Sequence, residues 1–149
     1  MPGRVHRYEA RTEWHGSTAE GWERYDRAHA GTAPPAEAEL TLTTGEAQGD
    51  PRQLNPEQLL VMAASSCQLL WFLHVAAKAR IDVVEYEDSA EAEMPDDRIT
   101  RIVLRPRIVV ASDAPDDRIA HLCEVAHEHC YIANSLTAEV AVEPSVERA

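Results

Sequence analysis

Three cysteines and a pair of histidines stand out as side chains with chemistry of their own: Cys67 in SSCQ, Cys123, and Cys130 in HEHCYIANSL, preceded by His127 and His129. Cys67 has apolar neighbours on both sides, and free cysteine is among the most buried residue types, so a packing role accounts for it in one reading. In the other it is a nucleophile. That role needs charge on the sulfur, which burial opposes unless a cation is close, so an arginine or lysine from elsewhere in the chain must reach it. Cys130 also has two readings, as a core residue or as a resolving thiol. A peroxide converts a thiolate to a sulfenic acid, and a second thiol condenses with it to a disulfide. Such a pair needs Cα atoms within about 7 Å. Cys123, one heptad before Cys130, reads as a small core residue.

His127, His129 and Cys130 offer a second chemistry, because HxHC supplies three potential ligands for zinc or another metal within four residues. Adjacent helical positions point in different directions, so joint ligation requires the helix to end there. No CxxC or HExxH reinforces it. The chain also lacks a phosphate-binding glycine loop, a GxSxG elbow and a dinucleotide fingerprint.

The elements that must position these residues follow from the pattern. His6, Tyr8, Ala10, Thr12 and Trp14 alternate with Arg7, Glu9, Arg11 and Glu13, which predicts a strand. Residues 16–21 read as a turn, 22–29 as a second strand and 38–43 as a third, with a break over 31–35. A polar loop, 45–54, leads to a strong helix start. Asn55 is an N-cap, Pro56 fits the first helical position, Gln58 can close a capping box and Glu57 sits in the first turn. The helix runs to about Arg80, roughly 37 Å long. Its middle is apolar on every side and must be covered all round, which a chain this short does poorly alone; an intimate dimer is the expectation. Residues 81–94 read as a strand, and a turn at 95–97 leads to another. In that strand Ile102, Leu104, Ile108 and Val110 point inward and Arg101, Arg105 and Arg107 outward, with Pro106 marking an edge or bulge. Asp113 and Pro115 open a second helix with the stripe Ile119, Leu122, Cys123, Ala126 and Cys130. A last strand alternates over Leu136, Ala138, Val140 and Val142. The order βββ-α-ββ-α-β is an α+β pattern, with helices on antiparallel sheet.

The 149 residues suit a single domain over 1–149. A net charge of −12 argues against nucleic acid as a partner, since a phosphate backbone needs a basic face, and against an anionic membrane surface. The acidity reads as solubility. Residues 59–77 approach the length of a membrane span, but Ser65, Ser66, Gln68 and His74 interrupt them, so a buried core helix is expected. The N-terminal residues contain no apolar run of the kind that opens a signal peptide. An odd number of cysteines without an export signal points to a reducing cytoplasm, where thiols are structural, metal-binding or redox-active.

Two segments together resemble a known family. NPEQLLVMAASSC, residues 55–67, is similar to the central-helix motif of the OsmC/Ohr proteins (osmotically inducible protein C and organic hydroperoxide resistance), in which NPE-x-L precedes small residues and a cysteine. AHEHCYIANSL, residues 126–136, resembles the second motif of that family. Order, separation and layout match over nearly the whole chain. The resemblance, to the OsmC-like branch, implies an intertwined homodimer with long central helices between antiparallel sheets and active sites at the subunit interface. It implies a peroxidase with Cys67 as the peroxide-attacking cysteine, Cys130 as the resolving one and Glu57 as the carboxylate that orients an activating arginine. It implies organic hydroperoxides as substrates and an external dithiol or lipoylated protein as reductant; no cofactor is expected.

Glu57 and Cys67 are ten residues apart on one predicted helix, about 15 Å, far beyond hydrogen-bond reach. Either the helix breaks or Glu57 comes from a partner subunit; the partner is the reading preferred here. The strand before the helix, AELTLTTGEAQ, has no arginine, which departs from the OsmC branch proper. Arg24, Arg27 and Arg52 remain, and Arg27 is chosen because it sits in the expected first hairpin, with Arg24 facing the opposite side. A rival reading is a non-catalytic dimer of the same fold that holds an apolar ligand; the other is the metal protein at His127, His129 and Cys130.

Overall fold

The computed structural model describes residues 3–149 and has an α+β architecture in two compact units, Met1–Leu59 and Leu60–Ala149. In the first unit, β1 (Arg11–Glu13), β2 (His29–Thr32) and β3 (Glu39–Leu42) form an antiparallel sheet in that order. The expected hairpin is therefore corrected. Its first strand shrinks to three residues and its second moves downstream, because residues 22–25 turn instead of extending. Arg24 and Tyr25 both donate their N–H to the Gly21 carbonyl. Gly31, read as a breaker, lies inside β2. A Cβ there would stand 2.9 Å from Leu42 Cδ1, so the glycine admits the side chain of the neighbouring strand.

Helix α1 (Pro56–Lys78) runs without a break. Its N-terminus is the expected capping box: Gln58 N–H donates to Asn55 Oδ1 at 2.9 Å and Asn55 N–H to Gln58 Oε1 at 3.0 Å. Its C-terminus is a Schellman arrangement. Arg80 takes φ +59°, its N–H reaches the Ala77 carbonyl, and the Ile81 N–H reaches back to Ala76.

In the second unit the sheets are mixed, correcting the expectation of antiparallel sheet throughout. Strands β4 (Val83–Asp88), β7 (Pro106–Val110) and β9 (Ser145–Arg148) form one sheet, and β5 (Glu91–Glu93), β6 (Arg101–Leu104) and β8 (Glu139–Val142) the other. The pairs β4–β7 and β5–β6 are antiparallel; β7–β9 and β6–β8 are parallel. Both segments read as single strands, 81–94 and the strand through Arg101 to Val110, thus divide between the sheets, and β9 is an additional strand. The divisions fall at one level. Pro106 and Pro144 lack an N–H for a continuous ladder, and Asp88 bridges the third break. Its Oδ1 accepts the Arg105 N–H at 2.6 Å and its Oδ2 the Ser65 hydroxyl of α1 at 2.5 Å.

Helix α2 (Asp116–His129) and a short α3 (Tyr131–Asn134) connect the strands. The expected stripe is in place: Ile119, Cys123, Ala126 and Cys130 are buried. Ile119, Cys123 and Ala126 pack with Phe72 and Ala76 of α1 and with Ile108 and Val110 in one core cluster, with Leu122 partly buried against it; Ile102, Leu104 and Ala64 form another. Along α1, one stripe is buried, Ala64, Gln68, Phe72 and Ala76. By length and composition alone α1 is apolar enough to cross a membrane, but this stripe packs into the protein core. Met62, Leu70 and Leu73 remain exposed.

Candidate active site

Cys67 is in the middle of α1 and half-buried, at the wall of a cavity of about 270 Å³ lined also by Leu70, Trp71, His74 and Tyr131. Trp71 organises this wall. It stacks on His129 at 5.2 Å between ring centroids and meets Tyr131 and His74 edge-on at 5.4 and 5.5 Å. Leu70 and Trp71 line the cavity, whereas Phe72 is fully buried in the core and Met62 lies exposed elsewhere on the helix. His74 and Tyr131 were not foreseen, and His129 was read only as a metal ligand; their signal was an aromatic or histidine on each segment flanking a cysteine.

Cys130 ends α2 and is the N-cap of α3, where its Sγ accepts the Ala133 N–H at 3.4 Å. The helix end places this thiol close enough to that of Cys67 for the two to influence each other's ionisation. Both are free thiols. Burial, above all, pushes the Cys130 thiol up to about 11, and the closeness of Cys67 adds to the rise while the backbone N–H groups of α3 oppose it. Cys123 is buried and pushed up to about 12, again mainly by burial. It is a packing residue in a position where ionisation is strongly disfavoured.

The metal reading at His127, His129 and Cys130 is not supported by this geometry. Among the described residues no group of three or more His, Cys, Asp or Glu side chains could hold a metal ion. The reason is helical geometry: His129 stacks on Trp71 while Cys130 turns to Cys67.

Arg27 and Glu57 meet at a second cavity, of about 370 Å³, within the first unit. Trp14, Tyr25, His29, Thr43 and Thr44 share its wall. Arg27 precedes β2 and is half-buried, and Arg24 is exposed. The guanidinium lies 3.6 Å over the Tyr25 ring, donates to the Tyr25 carbonyl at 2.7 Å, and donates also to the Trp22 carbonyl. Backbone carbonyls and an aromatic face hold it, where the sequence suggested Glu57. Trp14 braces the segment by donating Nε1–H to the Asp26 carbonyl at 2.7 Å and packing edge-on against Tyr25. Arg52, the third candidate, is exposed and paired with Asp50 at 3.0 Å.

A family model described as OsmC-like protein matches residues 48–145. No curated protein matches the sequence. Among solved structures, an OsmC-like protein of unknown function from Vibrio cholerae is 27% identical with a TM-score of 0.85, covering 95% of this chain and 100% of its own. An organic hydroperoxide resistance protein OsmC from Legionella pneumophila, described as a predicted redox protein, is 19% identical with a TM-score of 0.67, covering 97% and 99%. The organic hydroperoxide resistance protein OhrB of Bacillus subtilis is 20% identical with a TM-score of 0.57, covering 94% and 98%. The last two likenesses are of fold.

Proposed function

The chain belongs to the OsmC-like protein family, and on that footing we propose that it is a thiol-dependent peroxidase for organic hydroperoxides. The observation that carries this reading is the closeness of the Cys67 and Cys130 thiols beside an apolar, aromatic cavity. In the proposed reaction the Cys67 thiolate attacks the distal oxygen of ROOH. The O–O bond breaks, the sulfur is oxidised to sulfenic acid, and the alkoxide leaves and takes up a proton as ROH. Cys130 then displaces the hydroxyl oxygen as water and forms the disulfide. An external dithiol or a lipoylated protein restores both thiols by exchange. The cavity beside Trp71 and Leu70 favours an alkyl or aryl group on the peroxide over hydrogen peroxide.

Arg27 is assigned to stabilise the thiolate and the departing alkoxide, with Glu57 as its companion on the same cavity wall. In this reading α1 being unbroken means that the Arg27–Glu57 cavity acts on the Cys67 of a second copy. The exposed apolar residues Met62, Leu70 and Leu73 of α1 suit such a homodimer. The compartment proposed is the cytoplasm, where dithiol reductants keep the cycle running.

Steady-state consumption of an organic hydroperoxide with a dithiol tests the assignment. Cys67→Ser is expected to abolish turnover, and Cys130→Ser to permit one turnover but not efficient recycling. Full activity in Cys67→Ser overturns it. Undetectable thiol consumption by the native protein, alongside tight binding of a lipid, would favour the rival reading of an apolar-ligand protein.

A further inference from the structure

The peroxide step proposed above leaves one proton to be accounted for. As the O–O bond breaks, the proximal oxygen departs as an alkoxide, a strong base that leaves more readily as the alcohol. Arg27 offers that oxygen a positive charge and no proton, because a guanidinium stays protonated in proteins. The cavity wall that Arg27 shares with Glu57 holds one further group suited to the task, His29. This histidine opens β2 and is half-buried, and its Nδ1 lies 2.8 Å from the Arg27 carbonyl oxygen. A carbonyl only accepts, so Nδ1 carries the hydrogen, and in the neutral imidazole Nε2 then keeps its lone pair. With Nδ1 committed to the backbone, Nε2 is the ring nitrogen left for a ligand of the cavity. The segment that carries the ring is itself tied down. Ala28 N–H donates to Asp26 Oδ1 at 2.9 Å, Trp14 Nε1–H donates to the Asp26 carbonyl at 2.7 Å, and β2 pairs His29 with Leu42. One short stretch, 27–29, thus presents the cavity with a fixed cation and a fixed proton acceptor.

We infer that His29 is a further catalytic residue of the peroxide step: its Nε2 takes the proton of the hydroperoxide O–H and returns it to the departing alkoxide. This rests on the peroxidase reading and on the assignment of the Arg27–Glu57 cavity to that reaction. In the step the Cys67 thiolate sulfur bonds to the distal oxygen while the O–O bond breaks. The proton of the distal oxygen passes to Nε2 and from there to the proximal oxygen, which leaves as ROH. The sulfur is oxidised to the sulfenate anion, the peroxide is reduced to the alcohol, and the imidazole ends neutral as it began. Water then protonates the sulfenate to the sulfenic acid on which Cys130 acts. An imidazole suits such a relay because it both accepts and gives up a proton near neutral pH. The two side chains thereby divide the work. Arg27, held by the Tyr25 and Trp22 carbonyls, supplies charge, and His29, held by the Arg27 carbonyl, moves the proton.

The test varies the leaving group. A proton relay matters for an alkoxide and little for a carboxylate, which departs without a proton. Reduction of tert-butyl hydroperoxide releases an alkoxide, and reduction of peracetic acid releases acetate. In single turnovers His29→Asn is expected to consume tert-butyl hydroperoxide about tenfold or more slower than the native protein, and peracetic acid within about twofold of it. The asparagine amide can still donate to the Arg27 carbonyl but is not a base. Alkylation of Cys67 by iodoacetamide, which involves no peroxide proton, should therefore be unchanged. His29→Gln gives the same comparison should His29→Asn fail to fold. Equal slowing with both peroxides, or slowing of the alkylation alongside them, overturns the inference, since a merely structural role acts in that way. Consumption of tert-butyl hydroperoxide within about twofold of native by a protein that does depend on Arg27 overturns the role of His29 alone. A native protein inert to both peroxides overturns the peroxidase reading and this inference together. An active native protein whose rates Arg27→Gln leaves unchanged takes the cavity out of the reaction, and His29 with it.

Discussion

Cys67 and Cys130 differ in environment more than in chemistry. Cys67 borders an open cavity, whereas Cys130 and Cys123 are buried, and burial pushes their thiols up to about 11 and about 12. In each case the folded protein holds the proton more tightly than the unfolded chain does. The resulting stabilisation is fully present below the ordinary thiol value of 9.0 and is lost as pH rises through the folded values. Tyr86, itself raised by burial, adds to the loss with the same sign. The urea midpoint of the reduced protein should be flat between pH 7 and about 8 and should fall from about 9 upward; a midpoint unchanged to pH 11 would contradict the burial assigned to the two thiols. At this scale the sequence was informative about identity and silent about contact. Cys67 and Cys130 announce themselves by residue type and motif, but their meeting depends on α2 ending at His129. Likewise Arg27 could be selected among arginines, while its clasp by Tyr25 and Trp22 carbonyls could not be read, because it depends on a turn that the alternation of residues 22–29 disguised.

At the scale of elements, the helices were legible and the strands only in part. Local signals fix a helix end: Asn55, Pro56 and Gln58 specify the start of α1, and the reciprocal hydrogen bonds are formed. A sheet is set by non-local pairing, so residues 81–94 and the strand through Arg101 to Val110 read as continuous although each bends into two sheets. Pro106 was the visible clue, and it marks a change of sheet where a bulge or edge had been expected. Arg105 pins that change by reaching Glu91 at 2.6 Å and Glu143 at 3.4 Å across the breaks. The other end of α1 carries a local conflict, since Arg80 occupies the left-handed position that glycine usually fills. Arg80→Gly should raise stability by about 0.5–1 kcal/mol, the relief of the positive φ less the added entropy of the unfolded chain. Chemical denaturation measures it; a loss of stability would show that the arginine side chain makes a contact worth more than its backbone strain.

For the whole molecule, the expectation of a covered central helix is met on one stripe only. Phe72 and Ala76 are buried while Met62, Leu70 and Leu73 face outward. The proposed dimer explains that residue pattern and also brings an arginine to a thiol ten residues along the helix from Glu57. Complementation tests it. Mixing inactive Cys67→Ser and Arg27→Gln copies under conditions that exchange subunits should restore peroxidase activity, because one of the two sites in each mixed dimer then has both residues intact. Failure to restore activity in demonstrably mixed dimers would place Arg27 and Cys67 in the same subunit or remove Arg27 from the mechanism. The family and the α+β class were readable over nearly the whole chain from two motifs and their spacing, whereas the mixed sheets and β9 emerge only when the chain pairs with itself.

The central claim, that Cys67 is an activated thiol resolved by Cys130, is tested most directly by a single turnover. Fully reduced protein is exposed to one equivalent of an organic hydroperoxide or of hydrogen peroxide, quenched over time, and its cysteines mapped by mass spectrometry. The account predicts a Cys67–Cys130 disulfide, formed faster with the organic peroxide, with Cys123 remaining a thiol. Slow oxidation that does not distinguish the peroxides or the cysteines would contradict it.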